Sequence, residues 1–158
     1  MNQKEKIAIL FVCTGNICRS PTAEGVLRTM ASSAGVDIQW DSAGICDYHV
    51  GEAPDPRARR AAARRGYDLS RLRARQIGTD DFSRFDLILA MDAGHVAALN
   101  RRCPEPLRDR IRLFLDFLPG SEGRDVPDPY YGGEAGFELV LDLCEDGGAA
   151  LLRGLSAL

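Results

Sequence analysis

The sequence predicts an α/β protein in which four parallel strands form one sheet with helices packed on both faces. Apolar runs alternate with helical patterns along the whole chain. The first run, Ile7 to Val12, is continuously apolar and rich in β-branched residues, which is typical of a strand buried on both faces. Strands separated by helices need right-handed crossover connections, and such connections give a parallel sheet.

The elements follow one another in a simple order. After the first strand and a short polar loop, Ser20 and Pro21 predict the N-cap and first position of a helix that ends at Gly35. Further strands are predicted at Ile38 to Ala43, Phe85 to Met91 and Ile111 to Leu115, and further helices at 57–65, 93–100 and 137–151. Because ligands of such sheets bind beyond the carboxyl ends of strands, we expect the functional site in the loop after Val12.

Length, composition and charge limit the possible function classes. The chain has 158 residues, of which 45% are apolar and 27% charged, and this predicts one domain spanning residues 1–158. A formal net charge of -3 argues against a general nucleic-acid binder. The longest apolar run near the N-terminus, Ile7 to Cys13, is too short for a membrane span or a signal-peptide core. We therefore expect a cytoplasmic protein with no nucleic-acid or membrane partner.

Cysteine and histidine usage favours a reducing compartment without a metal site. The five cysteines are odd in number and irregularly spaced, which is not typical of a secreted disulfide framework. The only histidines, His49 and His95, lie far apart in the sequence, and the cysteines lack zinc-finger spacing. We expect no metal and no cofactor. We also expect His95 on a helix surface and Trp40 in the core.

The loop after the first strand reads Cys-Thr-Gly-Asn-Ile-Cys-Arg-Ser, from Cys13 to Ser20. Gly15 and Asn16 tolerate left-handed backbone angles, which let successive amides turn inward as an anion nest. The following helix adds its positive dipole end, and Arg19 adds a guanidinium that binds two oxygens at once. The pattern predicts a site for a tetrahedral oxyanion.

Cys13 is the candidate nucleophile of this site. A sulfur at a helix N-terminus near a guanidinium is stabilised as thiolate, and a thiolate inside an anion nest faces a bound phosphorus atom. Ser20 can donate a hydrogen bond to that sulfur. The alternative, a buried apolar cysteine that merely ends a strand, leaves Gly15, Arg19 and Ser20 unexplained. We therefore expect covalent phosphoryl transfer.

A second loop, residues 125–133, offers the proton that a leaving oxygen needs. It carries Asp125 and Asp128, two prolines and the adjacent Tyr130 and Tyr131. The prolines restrict the Asp128 side chain, and the aromatic rings favour its protonated form by removing water. Asp125 is a rival for this role, and a turn with solvated acids is an equally good interpretation of the loop taken alone.

Together the two loops resemble the low-molecular-weight protein tyrosine phosphatase family, and the resemblance is nearly full-length. Cys13 to Pro21 matches the family's phosphate-loop signature, and Asp128 to Gly132 matches its acid-bearing loop. Segments 41–44, 48–51, 75–76, 85–86 and 91–92 match in the family's order and spacing. A bare Cys-x5-Arg pattern is only moderately specific, but its pairing with Asp-Pro-Tyr-Tyr is strong. The resemblance implies a flavodoxin-like three-layer sandwich and a metal-independent protein-tyrosine phosphatase.

The resemblance also implies roles for individual residues. Cys13 would form a phosphocysteine, Arg19 would bind phosphate, and Asp128 would be the general acid. The rest of the phosphate-binding loop would be Thr14, Gly15, Asn16, Ile17, Cys18 and Ser20. Ser42 would brace Asn16, and the substrate cleft would be lined by Tyr48, Tyr130 and Tyr131. Phosphotyrosine-containing proteins would be the partners, and we expect a monomer.

Cys18 is a candidate for protection of the nucleophile. It lies five residues after Cys13 on a curled loop, and the family resemblance supports a disulfide between them that shields Cys13 from irreversible oxidation. A small side chain packing under the loop is an equally good interpretation. We interpret Cys46, Cys103 and Cys144 as mostly structural.

Three other functions compete for the same loop. A thiol-dependent arsenate reductase needs a second pair of shuttling cysteines, and the segment just beyond the third strand offers only Cys103. A phosphoarginine phosphatase would, by the family resemblance, carry threonine at the position of Ile17. A silent anion-binding module would have no use for Cys13, Arg19 and Asp128 together.

An arginine-rich segment could be mistaken for a nucleic-acid patch. Eight arginines lie from Arg57 to Arg75, with Asp68 as the only acid among them. Aromatic residues are sparse there and the whole chain is acidic, so we interpret the segment as a solvated helix face.

Overall fold

The computed structural model describes residues 6–156, and its strands form a four-stranded parallel sheet in the order β2-β1-β3-β4. The strands are β1 (Ile7–Cys13), β2 (Ile38–Gly44), β3 (Leu87–Ala90) and β4 (Ile111–Leu113). The α-helices are α1 (Arg19–Ser33), α2 (Pro56–Arg64), α3 (Asp81–Arg84), α4 (Ala93–Arg102) and α5 (Glu134–Ser156). Two 3₁₀ helices flank β4, at Glu105–Arg110 and Phe114–Phe117. The predicted flavodoxin-like sheet is confirmed.

Alternate residues of β1 face two separate hydrophobic cores. Ile9 and Phe11 pack in a cluster with residues of α1, α2 and α5, whereas Leu10 and Val12 pack in a second cluster with residues of α3 and α4. Side chains alternate across a strand, so these clusters lie on opposite faces of the sheet. Trp40 belongs to the first core, where it stacks on Phe11 with ring centroids 5.7 Å apart, as predicted.

The third and fourth strands are shorter than predicted. Phe85 is the C-cap of α3, and its amide donates to the Asp81 carbonyl. Because this residue still belongs to the end of the helix, β3 begins only at Leu87. At the other end of the sheet, the chain turns into a 3₁₀ helix at Phe114. Phe114 and Leu115 are at least as buried as Ile111 and Leu113 of β4, so the apolar pattern does not reveal where the strand ends.

The first helix begins earlier than predicted. Its N-cap is Cys18, and Ser20 lies inside its first turn. The expectation that Ser20 caps the helix was wrong, because its hydroxyl is used by the Asn16 and Cys13 side chains. The predicted end at Gly35 is confirmed: this residue has a φ of 72°, and its amide donates to the Ser32 carbonyl as in a Schellman motif.

The arginine-rich segment is only partly a solvated face. Arg65, in the loop after α2, forms ion pairs with Glu138, Asp142 and Glu145 of α5, at 2.7 to 2.9 Å. Arg75 bridges Asp41 and Asp81 at 3.1 and 3.0 Å. Much of the positive charge is therefore neutralised within the fold, where it holds elements together.

The sheet order fixes where a ligand can enter. Val12 of β1 is aligned with Ala43 of β2 on one side and with Ala90 of β3 on the other, so the carboxyl ends of the three strands lie side by side. The chain leaves β1 toward β2, while β3 lies on the opposite side. A crevice opens where the winding direction reverses, and the loop after β1 lies there, as predicted.

Candidate active site

The loop from Cys13 to Arg19 forms the floor of a cleft of about 220 Å³ at the carboxyl edge of the sheet. The cleft is lined by Cys13, Thr14, Gly15, Ile17, Cys18, Arg19, Tyr48, His49, Asp128, Tyr130 and Tyr131. Its floor comes from the loop between β1 and α1, and its walls come from the loops after β2 and before α5. Most of the predicted site residues therefore meet in one place, although they are spread over more than a hundred positions of the sequence.

Asn16 gives the loop its curled shape. Its φ of 60° is left-handed, and its amide nitrogen donates to the hydroxyls of Ser20 and Ser42 at 2.8 and 2.9 Å. Its side-chain oxygen accepts from the backbone amide of Arg75 at 3.0 Å. Gly15 does not have a positive φ, contrary to our expectation. A Cβ at this position would lie 2.9 Å from the His49 ring, so glycine is needed here because the ring packs against the backbone.

The sulfur of Cys13 lies beside the Ser20 hydroxyl. Cys13 Sγ is 3.0 Å from Ser20 Oγ, and Cys13 itself is buried. The Ser20 oxygen accepts from Asn16, and its own proton has two acceptors within reach, the Cys13 sulfur and the Ala43 carbonyl at 3.4 Å. The shorter of the two distances is the one to the sulfur.

The hydrogen-bond network continues behind the loop to a buried glutamate. Ser42, which accepts from Asn16, donates to Glu24 Oε1 at 2.7 Å, and Arg28 pairs with the other carboxylate oxygen at 2.6 Å. Burial raises the pKa of Glu24 above its ordinary value, although Ser42 and Arg28 oppose this effect. The predicted contact between Ser42 and Asn16 is thus part of a longer chain of side chains.

Arg19 is held in the cleft by three oxygens from different parts of the fold. Nη1 donates to Asp92 Oδ2 at 2.9 Å and to the Val126 carbonyl at 3.0 Å, and Nη2 donates to Thr14 Oγ1 at 3.4 Å. Burial alone would raise the pKa of Asp92, but the His95 amide and the Arg19 guanidinium lower it below its ordinary value. These contacts orient the guanidinium, which is buried.

Of the two candidate acids, only Asp128 lines the cleft. Asp128 Oδ2 is 3.7 Å from Arg19 Nη2, its side chain is 44% exposed, and its Oδ1 accepts from the Tyr130 amide. Asp125 instead accepts from the Ala93 amide at 2.9 Å, at the start of α4. The geometry favours Asp128 over Asp125 as the group that can reach a ligand.

Aromatic side chains form the walls above the loop. Tyr48 and Tyr131 are 75% and 95% exposed, and the ring centroids of Tyr130 and Tyr131 are 5.1 Å apart. The guanidinium of Arg57 lies over the Tyr130 ring at 5.4 Å and pairs with Asp55 at 2.9 Å. This contact, which the sequence did not reveal, supports one wall from behind.

Cys18 is buried in the first core and also lines the cleft, so both interpretations of this residue are compatible with its position. Burial, together with nearby acidic groups, raises the pKa of its thiol to about 12. All five cysteines, Cys13 and Cys18 among them, are free thiols in the structure.

His95 is a site residue that the sequence did not reveal, and its predicted surface position was wrong. It is only 6% exposed, and its Nε2 lies 2.8 Å from Thr14 Oγ1 in the phosphate-binding loop. Asp92 caps α4 by accepting from the His95 amide. The short helical pattern of α4 gave no sign that its first turn packs against the loop after β1.

Replacing His95 by glutamine should remove part of the acid sensitivity of folding. Burial lowers the pKa of His95 to about 4, whereas an unfolded histidine titrates near ~6.5. As the pH falls below ~6.5, the His95 imidazole takes up a proton in the unfolded state but stays neutral in the folded state, so the free energy of unfolding decreases. Between pH 7 and pH 4.5 the wild type should lose about 2 kcal/mol more than His95→Gln in urea unfolding. Equal losses would contradict the burial of a neutral imidazole.

Across residues 6–156, His, Cys, Asp and Glu side chains form no group of three or more that could hold a metal ion. None of the helices in the described part of the chain combines the length and hydropathy that a membrane span requires.

Comparison with known proteins agrees with the resemblance seen in the loops. A family model described as low molecular weight phosphotyrosine protein phosphatase matches residues 8–157. A low molecular weight protein-tyrosine-phosphatase of Streptomyces coelicolor is 47% identical over 153 residues, which span 93% of this chain and 92% of that protein.

Solved structures share the fold over nearly the whole chain. A protein tyrosine phosphatase from Entamoeba histolytica, with Hepes in its active site, superposes with a TM-score of 0.92 at 40% identity, covering 96% of this chain and 98% of that one. A Cys-to-Ser mutant of the YwlE arginine phosphatase, with its active-site serine phosphorylated, superposes with a TM-score of 0.87 at 28% identity, covering 95% of this chain and 96% of that one; another YwlE structure is from Bacillus subtilis. Structures with this fold thus include enzymes described as tyrosine and as arginine phosphatases.

Proposed function

Since this chain belongs to the low molecular weight phosphotyrosine protein phosphatase family, we propose that it hydrolyses phosphotyrosine in proteins, and small aryl phosphates, through a phosphocysteine on Cys13. One observation carries the proposal. The Cys13 sulfur, the Arg19 guanidinium and the Asp128 carboxylate meet in a single cleft with aromatic walls. Each of the three groups has a distinct task in moving a phosphoryl group from a phenol to water.

Arg19 binds the phosphoryl group in this proposal. Its Nη1 is occupied by Asp92 and the Val126 carbonyl, which leaves other N–H groups of the guanidinium free to donate to phosphoryl oxygens. The positive end of α1 adds to the attraction, because this helix starts at Arg19 itself. The bound phosphorus then lies above the Cys13 sulfur.

In the first step, the Cys13 thiolate attacks phosphorus while the bond from phosphorus to the phenolic oxygen breaks. The Asp128 proton goes to that oxygen, so tyrosine leaves as a neutral phenol. Asp128 Oδ2 lies 3.7 Å from Arg19 Nη2. A dianionic phosphate competes with Asp128 for this guanidinium, which releases the carboxyl group toward the leaving oxygen.

In the second step, Asp128 acts in reverse. Its carboxylate takes a proton from a water molecule as the water oxygen attacks the phosphorus of the phosphocysteine. The bond from phosphorus to sulfur breaks, inorganic phosphate is released, and Cys13 returns to the thiolate. Ser20, which can donate to the sulfur from 3.0 Å, makes this thiolate a better leaving group.

The shape of the cleft favours an aryl phosphate. Tyr48, in the loop after β2, and Tyr130, in the loop before α5, both line the cleft. Their aromatic rings can stack against the phenyl ring of a substrate. Phenolate also leaves more readily than an alkoxide. Ile17, which lines the cleft where a phosphoarginine phosphatase is expected to carry threonine, argues for phosphotyrosine over phosphoarginine.

A side-by-side assay tests the proposal. Phosphotyrosine, phosphoserine and phosphoarginine peptides and arsenate are offered to the wild type and to Cys13→Ser. We expect turnover of the phosphotyrosine peptide only, and loss of that turnover in the variant. Faster turnover of phosphoarginine would favour an arginine phosphatase such as YwlE, and thiol-dependent consumption of arsenate would favour a reductase.

Domain organisation, oligomeric state and cellular location complete the proposed function. We propose a single catalytic domain over residues 1–158 that acts as a monomer, needs no metal because Arg19 and the loop supply the positive charge, and binds neither nucleic acid nor membranes. Five free thiols fit the reducing cytoplasm in which we place the protein.

Cys18 is proposed to protect the nucleophile from peroxide. A Cys13 thiolate attacks hydrogen peroxide to give the sulfenic acid and hydroxide; the Cys18 thiol then condenses with it, forming a disulfide and releasing water. Treated with peroxide and then with a thiol reductant, the wild type should regain most of its activity, whereas Cys18→Ser should not. Full recovery of the variant would assign Cys18 to packing alone.

A further inference from the structure

His95 joins the phosphate-binding loop to a helix on the other side of the crevice. It lies in the first turn of α4, which follows β3, while Thr14 follows β1. The two side chains meet at 2.8 Å, between His95 Nε2 and Thr14 Oγ1. The mechanism above uses neither side chain, although both lie within one hydrogen bond of Arg19 or of its partner.

The direction of this hydrogen bond follows from Arg19 and Asp92 together. A guanidinium only donates, so Thr14 Oγ1 accepts from Arg19 Nη2 at 3.4 Å, and the hydroxyl proton is left for another acceptor. The Asp92 carboxylate favours the ring proton on Nδ1, which leaves His95 Nε2 as that acceptor. The other nitrogen, Nδ1, makes no hydrogen bond within the described residues but lies 3.3 Å from Asp92 Oδ1, so a proton on it faces a carboxylate.

The surroundings keep the imidazole neutral. Burial disfavours its charged form, and Arg19 repels a second positive charge, whereas Asp92, Asp125 and Asp128 favour one. Burial is the largest of these effects, and it lowers the pKa of His95 to about 4. A protonated ring would donate to Thr14 instead of accepting from it, and would place a second cation beside the guanidinium.

We infer that His95 is a positioning residue for the reaction: its Nε2 accepts a hydrogen bond from the Thr14 hydroxyl, which leaves the Thr14 oxygen to accept from Arg19 Nη2. This inference rests on the proposed function. With Nη1 held by Asp92 and Nη2 held by Thr14, the plane of the guanidinium is set before substrate binds. Without His95, the Thr14 hydroxyl can rotate its proton toward Arg19, and Nη2 is drawn to Asp128, which lies 3.7 Å away.

The test removes the acceptor and then restores it. His95→Leu fills the site without an acceptor, and His95→Gln offers an amide oxygen in its place. With p-nitrophenyl phosphate, we expect His95→Leu to lower kcat/KM about tenfold, with most of the loss in kcat, because guanidinium alignment matters most in the transition state. His95→Gln should recover most of that loss.

A second arm asks whether the effect passes through Thr14. In a Thr14→Val background, His95→Leu should cause no further loss, because the hydroxyl that His95 orients is already gone. Additive losses would overturn the inference. The ratio of wild-type to His95→Gln activity should also stay constant from pH 5 to pH 8, since the imidazole remains neutral there. A ratio that changes in this range would overturn it too.

Controls separate this inference from the proposed function and from folding. Urea unfolding at pH 7 must give cooperative transitions for each variant, and His95→Gln and Thr14→Val carry the comparison if His95→Leu is unfolded. If Cys13→Ser is inactive while His95→Leu is as active as the wild type, only the role of His95 fails. If Cys13→Ser still hydrolyses p-nitrophenyl phosphate, the proposed function itself fails.

Discussion

Cys13→Ser should lower the turnover of p-nitrophenyl phosphate and of phosphotyrosine peptides by about 10⁴-fold or more. A serine hydroxyl keeps its proton at neutral pH, and the described contacts of this position include a hydroxyl donor, Ser20, which cannot take that proton as a base. Affinity for inorganic phosphate should persist, because Arg19 and the loop remain. Steady-state kinetics and phosphate titration of the same preparation give both values.

The matched control for this variant is Cys46→Ser. Cys46 is half-buried and does not line the cleft, so its removal should leave kcat and KM unchanged. Substantial turnover by Cys13→Ser would remove Cys13 from its role. If Cys13→Ser lost both its phosphate affinity and its turnover, the substitution would have disrupted the loop.

Asp128→Ala should have the second largest effect, and the effect should depend on the leaving group. We expect kcat for phenyl phosphate to fall by about 10²-fold or more, because an unprotonated phenolate leaves poorly without a general acid. The loss for p-nitrophenyl phosphate should be smaller, since nitrophenolate is stable as an anion. The pH dependence that protonation of Asp128 gives to kcat should disappear as well.

Asp125→Ala is the control for the acid. Asp125 accepts from the Ala93 amide at the start of α4, so its loss should cost stability without any dependence on the leaving group. Equal losses for both substrates in Asp128→Ala would mean that the substitution only disturbs the loop. A leaving-group effect in Asp125→Ala would make that residue the acid.

The parts of the fold that depend on local signals could be predicted from the sequence. The continuous apolar run of β1 and the positive φ required at Gly35 are properties of neighbouring residues. The position of the site followed from topology, because loops at the carboxyl edge of a parallel sheet converge. Cys13 and Arg19 could be named as candidates from the chemistry of their loop, whereas only the family resemblance distinguished Asp128 from Asp125.

Features that depend on distant contacts could not be predicted. A serine before a proline predicts a helix cap, but Ser20 is recruited by Asn16 and the Cys13 sulfur. His95 belongs to a short helix whose pattern gives no sign of what covers it. Arg65 is indistinguishable in sequence from its solvated neighbours, and only the packing of α2 near α5 supplies its three acidic partners.

The most direct measurement is the chemical identity of the trapped intermediate. Asp128→Ala also lacks the base that activates water, so the phosphorylated enzyme should accumulate when this variant is mixed with p-nitrophenyl phosphate and quenched in acid. Peptide mass mapping should find one phosphoryl group, attached to Cys13. A phosphoryl group on another residue of an actively turning-over enzyme, with Cys13 unmodified, would contradict nucleophilic attack by this sulfur.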